Sequence, residues 1–294
     1  MYLIFIKFSL VQTQIVFIVL RQEVFLNIAF WSGVSGKCAT SGNMLAVGTM
    51  ASLMYSLKTM FVQYDIYSKP IEEIFEGKKN DNIIKDEISY YQNVGIDELL
   101  NKLKLNSVNE QMVYGHVKNI KDTGIFYLPS SKKVRNGLDD QSTSYLAKDL
   151  PRTLEKISDV SFIDNLNGKI RLSKKTLDEA DVIVINLCQG INDVDYILSN
   201  EKLKSKAVFL IGKYDSESNE NIMTIRKKYN IPKQMIGVVP YNIHFHDAII
   251  EGNVVDFIKK SMYSRRSDGN FEFINELYKS TNMILQRAGF SEAS

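Results

Sequence analysis

The residues best suited to chemistry lie in one short loop that follows an apolar segment. The segment Val24–Phe30 reads V-F-L-N-I-A-F, and the loop after it contains Gly33, Gly36 and Lys37. Backbone N–H groups of such a loop and the positive end of the following helix converge on one point, where they stabilise an anion. Glycine lets the backbone approach phosphate oxygens without a Cβ in the way, and a lysine here reaches the β- and γ-phosphates. The spacing therefore predicts a phosphate-binding loop between a strand and a helix.

Two positions of this loop depart from the usual pattern G-x-x-x-x-G-K-[ST]. Trp31 stands at the first glycine position, and Cys38 stands where a serine or threonine would bind Mg²⁺. A helix N-terminus next to Lys37 lowers the pKa of a thiol. Cys38 is therefore either a reactive thiol or a small loop residue in a weakened metal site. The other cysteine, Cys188, is expected to be a buried residue at the end of a strand.

Short apolar strands alternate with helices along the rest of the chain. The predicted strands are Val24–Phe30, Thr59–Tyr64, Gly124–Leu128, Val160–Asp164, Val182–Leu187, Ala207–Gly212 and Met235–Val239. The predicted helices include Cys38–Tyr55, Ile71–Phe75, Asp81–Gln92, Ile96–Leu103, about Val108–Asn119, Tyr145–Ile157, Lys174–Ala180, Asp193–Asn200, Asn219–Lys228, Asn253–Ser261 and Phe271–Arg287. Continuous apolar strands separated by helices predict a doubly wound α/β fold, with a mostly parallel sheet covered by helices on both faces. Ligands bind such sheets at the carboxyl ends of the strands, where the loop lies.

Polar residues stand where two other predicted strands end. Gln63 and Asp65 end the second strand, and Asp164 and Gly168 stand at the end of the strand in V-S-F-I-D-N-L-N-G. A carboxylate there can hold a Mg²⁺-bound water, and the glycine N–H can face a γ-phosphate. An ordinary turn is the alternative, because Asp-Asn and Asn-Gly are common turn pairs.

Three features together resemble the ParA/MinD family of ATPases. They are the loop with Asn43 downstream, these strand ends, and the segment V-V-P-Y-N-I-H-F-H-D-A-I-I-E-G around Pro240. That family carries K-G-G-x-G-K-T-T-x-x-x-N-L-A in its loop. The resemblance implies a P-loop fold that binds ATP and Mg²⁺ and forms a homodimer. The implied binding residues are Gly33, Val34, Ser35, Gly36, Lys37, Cys38, Ala39, Asp164, Gly168, Lys213 and Pro240, with Cys38 and Asp164 on the metal and Lys37, Gln63 and Asp65 in catalysis.

The same resemblance implies weak catalysis. Ser32 stands where the family has its signature lysine, and Gln63 stands where it has the aspartate that activates the attacking water. A glutamine can position water but cannot accept its proton as a carboxylate can. Lys213 stands where the family often places an asparagine near the adenine, which leaves base selectivity open. We expect hydrolysis to be slow or absent.

Two functions from different classes stay open at this stage. The first is a nucleotide-dependent positioning switch, either in pilus assembly, as in the TadZ-type relatives, or in DNA partition. The second is a scaffold for protein partners that has kept the fold and lost the nucleotide. Lys37 favours the first function, whereas Ser32, Cys38 and Gln63 favour the second. Contact with DNA or with a membrane stays open for both functions.

Composition restricts the class of protein only broadly. The chain has 294 residues, of which 45% are hydrophobic and 24% charged, and its formal net charge is +2. This is ordinary globular composition, and the charge balance does not demand nucleic acid. Two cysteines cannot build a disulfide framework, which favours a reduced, cytoplasmic compartment, with pole or membrane association left open.

The first 25 residues form a separate question. They are apolar, but Lys7, Arg21 and Glu23 interrupt them, so a membrane-spanning helix is not expected. A signal peptide is not expected either, because no small-residue cleavage site follows. We expect residues 26–294 to form the P-loop domain, and three alternatives stay open for residues 1–25: a start codon assigned too early, a membrane-associating segment, or an extra strand.

Overall fold

A computed structural model describes residues 25–64, 68–77, 95–105, 109–130, 140–165 and 171–290. Its strands are β1 (Leu26–Trp31), β2 (Thr59–Gln63), β3 (Lys118–Asn119), β4 (Ile125–Tyr127), β5 (Val160–Asp164), β6 (Val182–Leu187), β7 (Ala207–Tyr214) and β8 (Ile236–Pro240). They form one sheet in the order β3-β4-β2-β5-β1-β6-β7-β8. Each neighbouring pair is parallel except β3 with β4. The predicted doubly wound, mostly parallel α/β sheet is confirmed.

Helices connect these strands within the same described ranges. They are α1 (Thr40–Tyr55), α2 (Ile71–Glu76), α3 (Ile96–Lys104), α4 (Glu110–Tyr114), α5 (Asp140–Ser144), α6 (Leu150–Leu154), α7 (Arg171–Glu179), α8 (Asp195–Leu198), α9 (Glu201–Lys204), α10 (Ile222–Tyr229), α11 (Ile243–Glu251), α12 (Val254–Ser261) and α13 (Phe271–Arg287). A π-helical turn joins α5 to α6. In the part of the chain that the structure describes, no helix is both long enough and apolar enough to cross a membrane.

The central strand β1 separates two layers of core. Successive side chains of a strand point to opposite faces, and accordingly Ile28 and Phe30 enter the core that contains α1 and α13, whereas Ala29 and Trp31 enter the core on the other side. All four side chains are fully buried. Because both faces of β1 are covered, its carboxyl end is the place where the chain can leave the sheet toward solvent.

The last helix, α13, packs against the sheet, as its apolar spacing predicts. Phe273, Leu277 and Ile284 are buried in the same core as α1. The Oγ atom of Ser280 lies 2.8 Å from the carbonyl oxygen and 3.0 Å from the backbone nitrogen of Val238 in β8. These contacts fix the helix on the sheet through both polar and apolar groups.

Several elements differ from those predicted, and the short helices α5 and α9 are among those that were not predicted. The helix expected over about Val108–Asn119 is limited to Glu110–Tyr114, and its last two residues form the short antiparallel strand β3 instead. The helix α11 follows β8 and is not among the predicted elements. The predicted helix Asp81–Gln92 lies outside the described residues.

Candidate functional site

The loop predicted to bind phosphate joins β1 to α1 at the carboxyl end of β1, between β5 and β6. Ser35, Gly36 and Lys37 are exposed at its tip. Gly36 has a φ of 71°, in the left-handed region that favours glycine. Ala39 is also left-handed, with a φ of 54°, which costs a residue with a Cβ about 1–2 kcal/mol. Because of this turn, α1 begins at Thr40 and not at Cys38 as predicted.

The base of the loop is held by neighbouring strands. A Cβ on Gly33 would lie 1.8 Å from the carbonyl oxygen of Asp193, so only glycine fits against the segment that follows β6. The Nδ2 atom of Asn43 donates to the carbonyl oxygen of Cys38 at 3.1 Å and to Oδ1 of Asn186 at 2.8 Å. Asn43 therefore ties the loop, the helix that follows it and β6 together.

Ser32 occupies the place of the family's signature lysine, and its side chain is used inside the loop. It is 1% exposed. Its Oγ atom accepts a hydrogen bond from the N–H of Val34 at 3.2 Å and donates to the carbonyl oxygen of Val34 at 3.0 Å. Val34 itself is half-buried. The side chain of Ser32 thus supports the loop turn and carries no charge toward a ligand or a second copy of the chain.

A hydroxyl and a carboxylate meet beneath the loop. Ser41, in the first turn of α1, donates a hydrogen bond of 2.6 Å to Oδ2 of Asp164, which ends β5 and is 1% exposed. Mg²⁺ prefers oxygen ligands of this kind, so the pair fits the metal that the family binds. The sequence reasoning did not select Ser41. The signal was present, because Ser41 stands one helical turn after Cys38 and carries the hydroxyl that Cys38 lacks.

Cys38, expected on the metal, lies on the other side of the loop. Its side chain is buried, and Sγ lies 4.0 Å from Oδ1 of Asn192, in the segment that follows β6. Burial raises the pKa of Cys38 to about 11, and the neighbouring thiol of Cys188 adds to the increase, although a hydrogen bond with Ser32 and the charge of Lys37 oppose it. Of the two alternatives open for Cys38, the thiol with a lowered pKa does not agree with this direction, because burial outweighs the charge nearby.

Gln63, expected in catalysis, is 4% exposed and is engaged in a network. Its Oε1 atom accepts hydrogen bonds from the N–H of Ile71 at 3.1 Å and from Oγ of Ser130 at 2.9 Å. Its Nε2 atom donates to the carbonyl oxygen of Lys69 at 3.0 Å and lies 3.5 Å from Oδ2 of Asp164. Both ends of the amide are thus occupied by the fold, and in this arrangement Gln63 positions the chain after β2.

The remaining predicted residues lie further along the same edge of the sheet. Lys213 is exposed near the end of β7, with a left-handed φ of 50°, and Pro240 ends β8 beside Tyr214. These strands lie two and three places from β1 in the sheet. Asp65 and Gly168 lie outside the described residues, so their predicted roles stay predictions. Within the described ranges, no group of three or more His, Cys, Asp or Glu side chains could hold a metal ion.

The parallel sheet, the loop after its central strand and the exposed lysine on that loop define the fold class of the P-loop nucleotide-binding proteins. No family model and no curated protein matches the sequence. Solved structures do match the fold of the chain. A ParA family ATPase from Chlorobium tepidum shares 13% sequence identity, with 88% of this chain and 98% of that chain covered and a TM-score of 0.65.

Two further matches contain nucleotides. A putative plasmid partition protein from Borrelia burgdorferi bound to AMPPNP is 17% identical over 90% of this chain and 100% of that chain, with a TM-score of 0.63. The septum site-determining protein MinD from Pyrococcus horikoshii, complexed with Mg-ADP, is 12% identical over 92% and 100%, with a TM-score of 0.58. The chain therefore has the fold of the ParA/MinD ATPases. Similarity at this level of identity describes the fold, and the activity has to be argued from the site.

Proposed function

We propose that this chain binds ATP together with Mg²⁺ at the loop between β1 and α1. The observation that carries the proposal is the pair Ser41 and Asp164, joined at 2.6 Å beneath a loop that exposes Lys37. Lys37 supplies positive charge for the β- and γ-phosphates, and the loop N–H groups supply donors. The hydroxyl and the carboxylate supply oxygen atoms for the metal.

The solved structures support the choice of ligand. The Borrelia burgdorferi partition protein holds AMPPNP, and the Pyrococcus horikoshii MinD holds Mg-ADP. Both share the fold over nearly all of this chain. The same loop and strand ends therefore belong to a fold that accommodates an adenine nucleotide with its metal.

Hydrolysis is proposed to be slow or absent. The charge that develops on the transferred phosphoryl group needs cationic stabilisation in the transition state. Ser32 cannot supply it, and its side chain is bonded to Val34. Gln63 cannot act as a base, and its amide is bonded to Ile71, Ser130 and Lys69.

The biological role proposed is that of a positioning switch. ATP promotes a homodimer in this proposal, and the dimer engages protein partners of a pilus-assembly or a DNA-partition system. The matched structures include partition proteins and a MinC:MinD complex from Aquifex aeolicus, in which the ATPase fold meets a partner protein. Light scattering of the full chain with and without Mg-ATP tests the dimer, and the neighbouring genes distinguish pilus assembly from partition.

Calorimetric titration with Mg-ATP tests the binding itself. Lys37→Ala should weaken binding by about 10- to 100-fold, or ~1.5–3 kcal/mol, because a charge-assisted contact is lost. Lys58→Ala is the matched control, since Lys58 is an exposed lysine before β2, at the opposite edge of the sheet. Absence of binding at millimolar ATP by folded protein would exclude the switch.

The second candidate is a scaffold that binds protein partners without nucleotide. The occupied amide of Gln63 and the internal hydrogen bonds of Ser32 favour it, because both side chains bond to neighbouring parts of the chain. The same titration separates the two functions. A scaffold gives no heat of binding with ATP, ADP or GTP and gives the same oligomeric state with and without them.

A further inference from the structure

The two cysteines of the chain meet beside the phosphate loop. Cys38 follows Lys37 in the loop, and Cys188 follows β6, the strand next to β1. Asn192 lies between them. Its Oδ1 atom accepts the N–H of Cys188 at 2.8 Å and lies 4.0 Å from Sγ of Cys38, and its Nδ2 atom donates to the carbonyl oxygen of Cys188 at 2.9 Å. Both cysteines are free thiols.

The two thiols are neighbours and differ in access. Both cysteines flank the side chain of Asn192, and Cys188 is one of the groups that raise the pKa of Cys38, after burial. Cys38 is 1% exposed, whereas Cys188 is half-buried, with its Sγ 3.4 Å from the carbonyl oxygen of Ile191. A small oxidant from solvent therefore reaches Cys188 first, and the second thiol is already next to it.

We propose that Cys38 and Cys188 form an oxidative modification site, which closes into an intramolecular disulfide when a hydroperoxide reacts with Cys188. The thiolate of Cys188 attacks the peroxide oxygen, the O–O bond breaks, a sulfenic acid forms, and one water leaves when the oxidant is hydrogen peroxide. The sulfur of Cys38 then attacks that sulfenic sulfur, the S–O bond breaks, and a second water leaves. Two thiols lose two electrons and two protons, and one peroxide is reduced to two waters.

The disulfide would restrain the loop that carries Lys37. The loop already touches the segment after β6, where Gly33 abuts the carbonyl oxygen of Asp193. A covalent bond one residue after Lys37 fixes the loop to that segment and removes the freedom to adjust around phosphates. This consequence rests on the proposed function, whereas the formation of the disulfide does not.

Peptide mapping of the full chain under non-reducing conditions tests the site. After treatment with hydrogen peroxide, the tryptic peptide that begins at Cys38 should be linked to the peptide Thr176–Lys202, in monomeric protein, and a thiol reductant should reverse the link. Cys38→Ser and Cys188→Ser should each abolish it. Oxidation of Cys188 to sulfenic or sulfinic acid with Cys38 still a free thiol would overturn the proposal, as would links formed only between chains.

Titration of the reduced and the oxidised chain with Mg-ATP tests the consequence. We expect oxidation to weaken binding at least tenfold and reduction to restore it. Equal affinities in the two states would exclude control of the loop by the disulfide. If the reduced chain also fails to bind ATP, the proposed function fails, and the peptide map still decides whether the disulfide forms.

Discussion

Replacement of Ser41 by alanine tests where this chain places its metal ligand. The Oγ atom of Ser41 lies 2.6 Å from a carboxylate oxygen of Asp164, which is almost fully buried. A hydrogen bond to a charged group contributes about 1.5–3 kcal/mol to stability, and its loss leaves the buried carboxylate with one donor fewer. We expect Ser41→Ala to lower the free energy of unfolding by about 1–3 kcal/mol, measured by urea denaturation.

The same variant should remove the effect of Mg²⁺ on ATP binding. In the wild-type chain the hydroxyl and the carboxylate supply oxygen ligands, so Mg²⁺ should tighten binding. The ratio of ATP affinities with and without Mg²⁺, measured by calorimetry, should fall about tenfold in Ser41→Ala. It should be unchanged in Cys38→Ala, because the Cys38 thiol lies beside Asn192.

Ser52→Ala is the matched control. Ser52 lies on the same helix and loses a hydrogen bond of 2.9 Å to the carbonyl oxygen of Leu57, at the end of α1 far from the loop. It should lower stability and leave the Mg²⁺ effect intact. A Mg²⁺ effect that survives Ser41→Ala and disappears in Cys38→Ala would refute the reasoning, because the metal would then lie where the usual loop pattern puts it.

Hydrolysis, the Gln63 network and alkaline stability provide three more tests. Phosphate release should be close to background, because the loss of a transition-state cation alone costs about 10³–10⁵ in rate, and turnover like that of an ordinary ParA-like ATPase would contradict this. Gln63→Ala should lower the free energy of unfolding by about 2–4 kcal/mol in urea denaturation, since several buried hydrogen bonds are lost; a loss below about 0.5 kcal/mol would exclude the positioning role. Burial raises the pKa of Cys38 from 9.0 to about 11, so the folded chain keeps a proton that the unfolded chain releases. Stability should therefore fall as pH rises from about 9 to about 11, by at most ~1.4 kcal/mol per pH unit from this group, and the wild-type chain should show a steeper fall than Cys38→Ala.

Apolar patterns alone predict most of the regular structure. The runs Val160–Asp164 and Val182–Leu187 give two strands with their observed bounds, and the spacing over Phe271–Arg287 gives the last helix. Both strands are buried along their whole length, and α13 buries one long stripe. Periodicity defines such segments because their burial pattern is continuous.

The helix α11 shows where periodicity fails. Only Phe245 and Ala248 are buried in it, so its apolar stripe is too narrow to indicate a helix. The alternation of isoleucine, histidine and phenylalanine at its start also fits a strand. The available signal was Asn242, whose side chain accepts the N–H of Phe245 at 2.8 Å as a helix cap. A cap residue identifies this helix better than hydrophobicity does.

Some features of the candidate site can likewise be predicted from adjacent residues, whereas others depend on residues far apart in sequence. The loop could be predicted because strand, glycines, lysine and helix are adjacent in sequence. The proximity of Cys38 and Cys188 at Asn192 could not be predicted, because it depends on β6 lying next to β1, and strand order is not encoded in a local pattern. The engagement of Gln63 with Ser130 depends equally on how distant segments meet at the end of β2.

One backbone feature accounts for both departures at the loop. Ala39 adopts a left-handed conformation, so α1 begins two residues later than the pattern of the loop implies. Cys38 then lies outside the helix and turns toward Asn192 and Cys188, while the first helical turn presents Ser41 to Asp164. In the proposed function, Ser41 therefore supplies from the next turn the hydroxyl that is missing after Lys37. The thiol of Cys38 lies beside Asn192 instead, near the only other thiol in the chain.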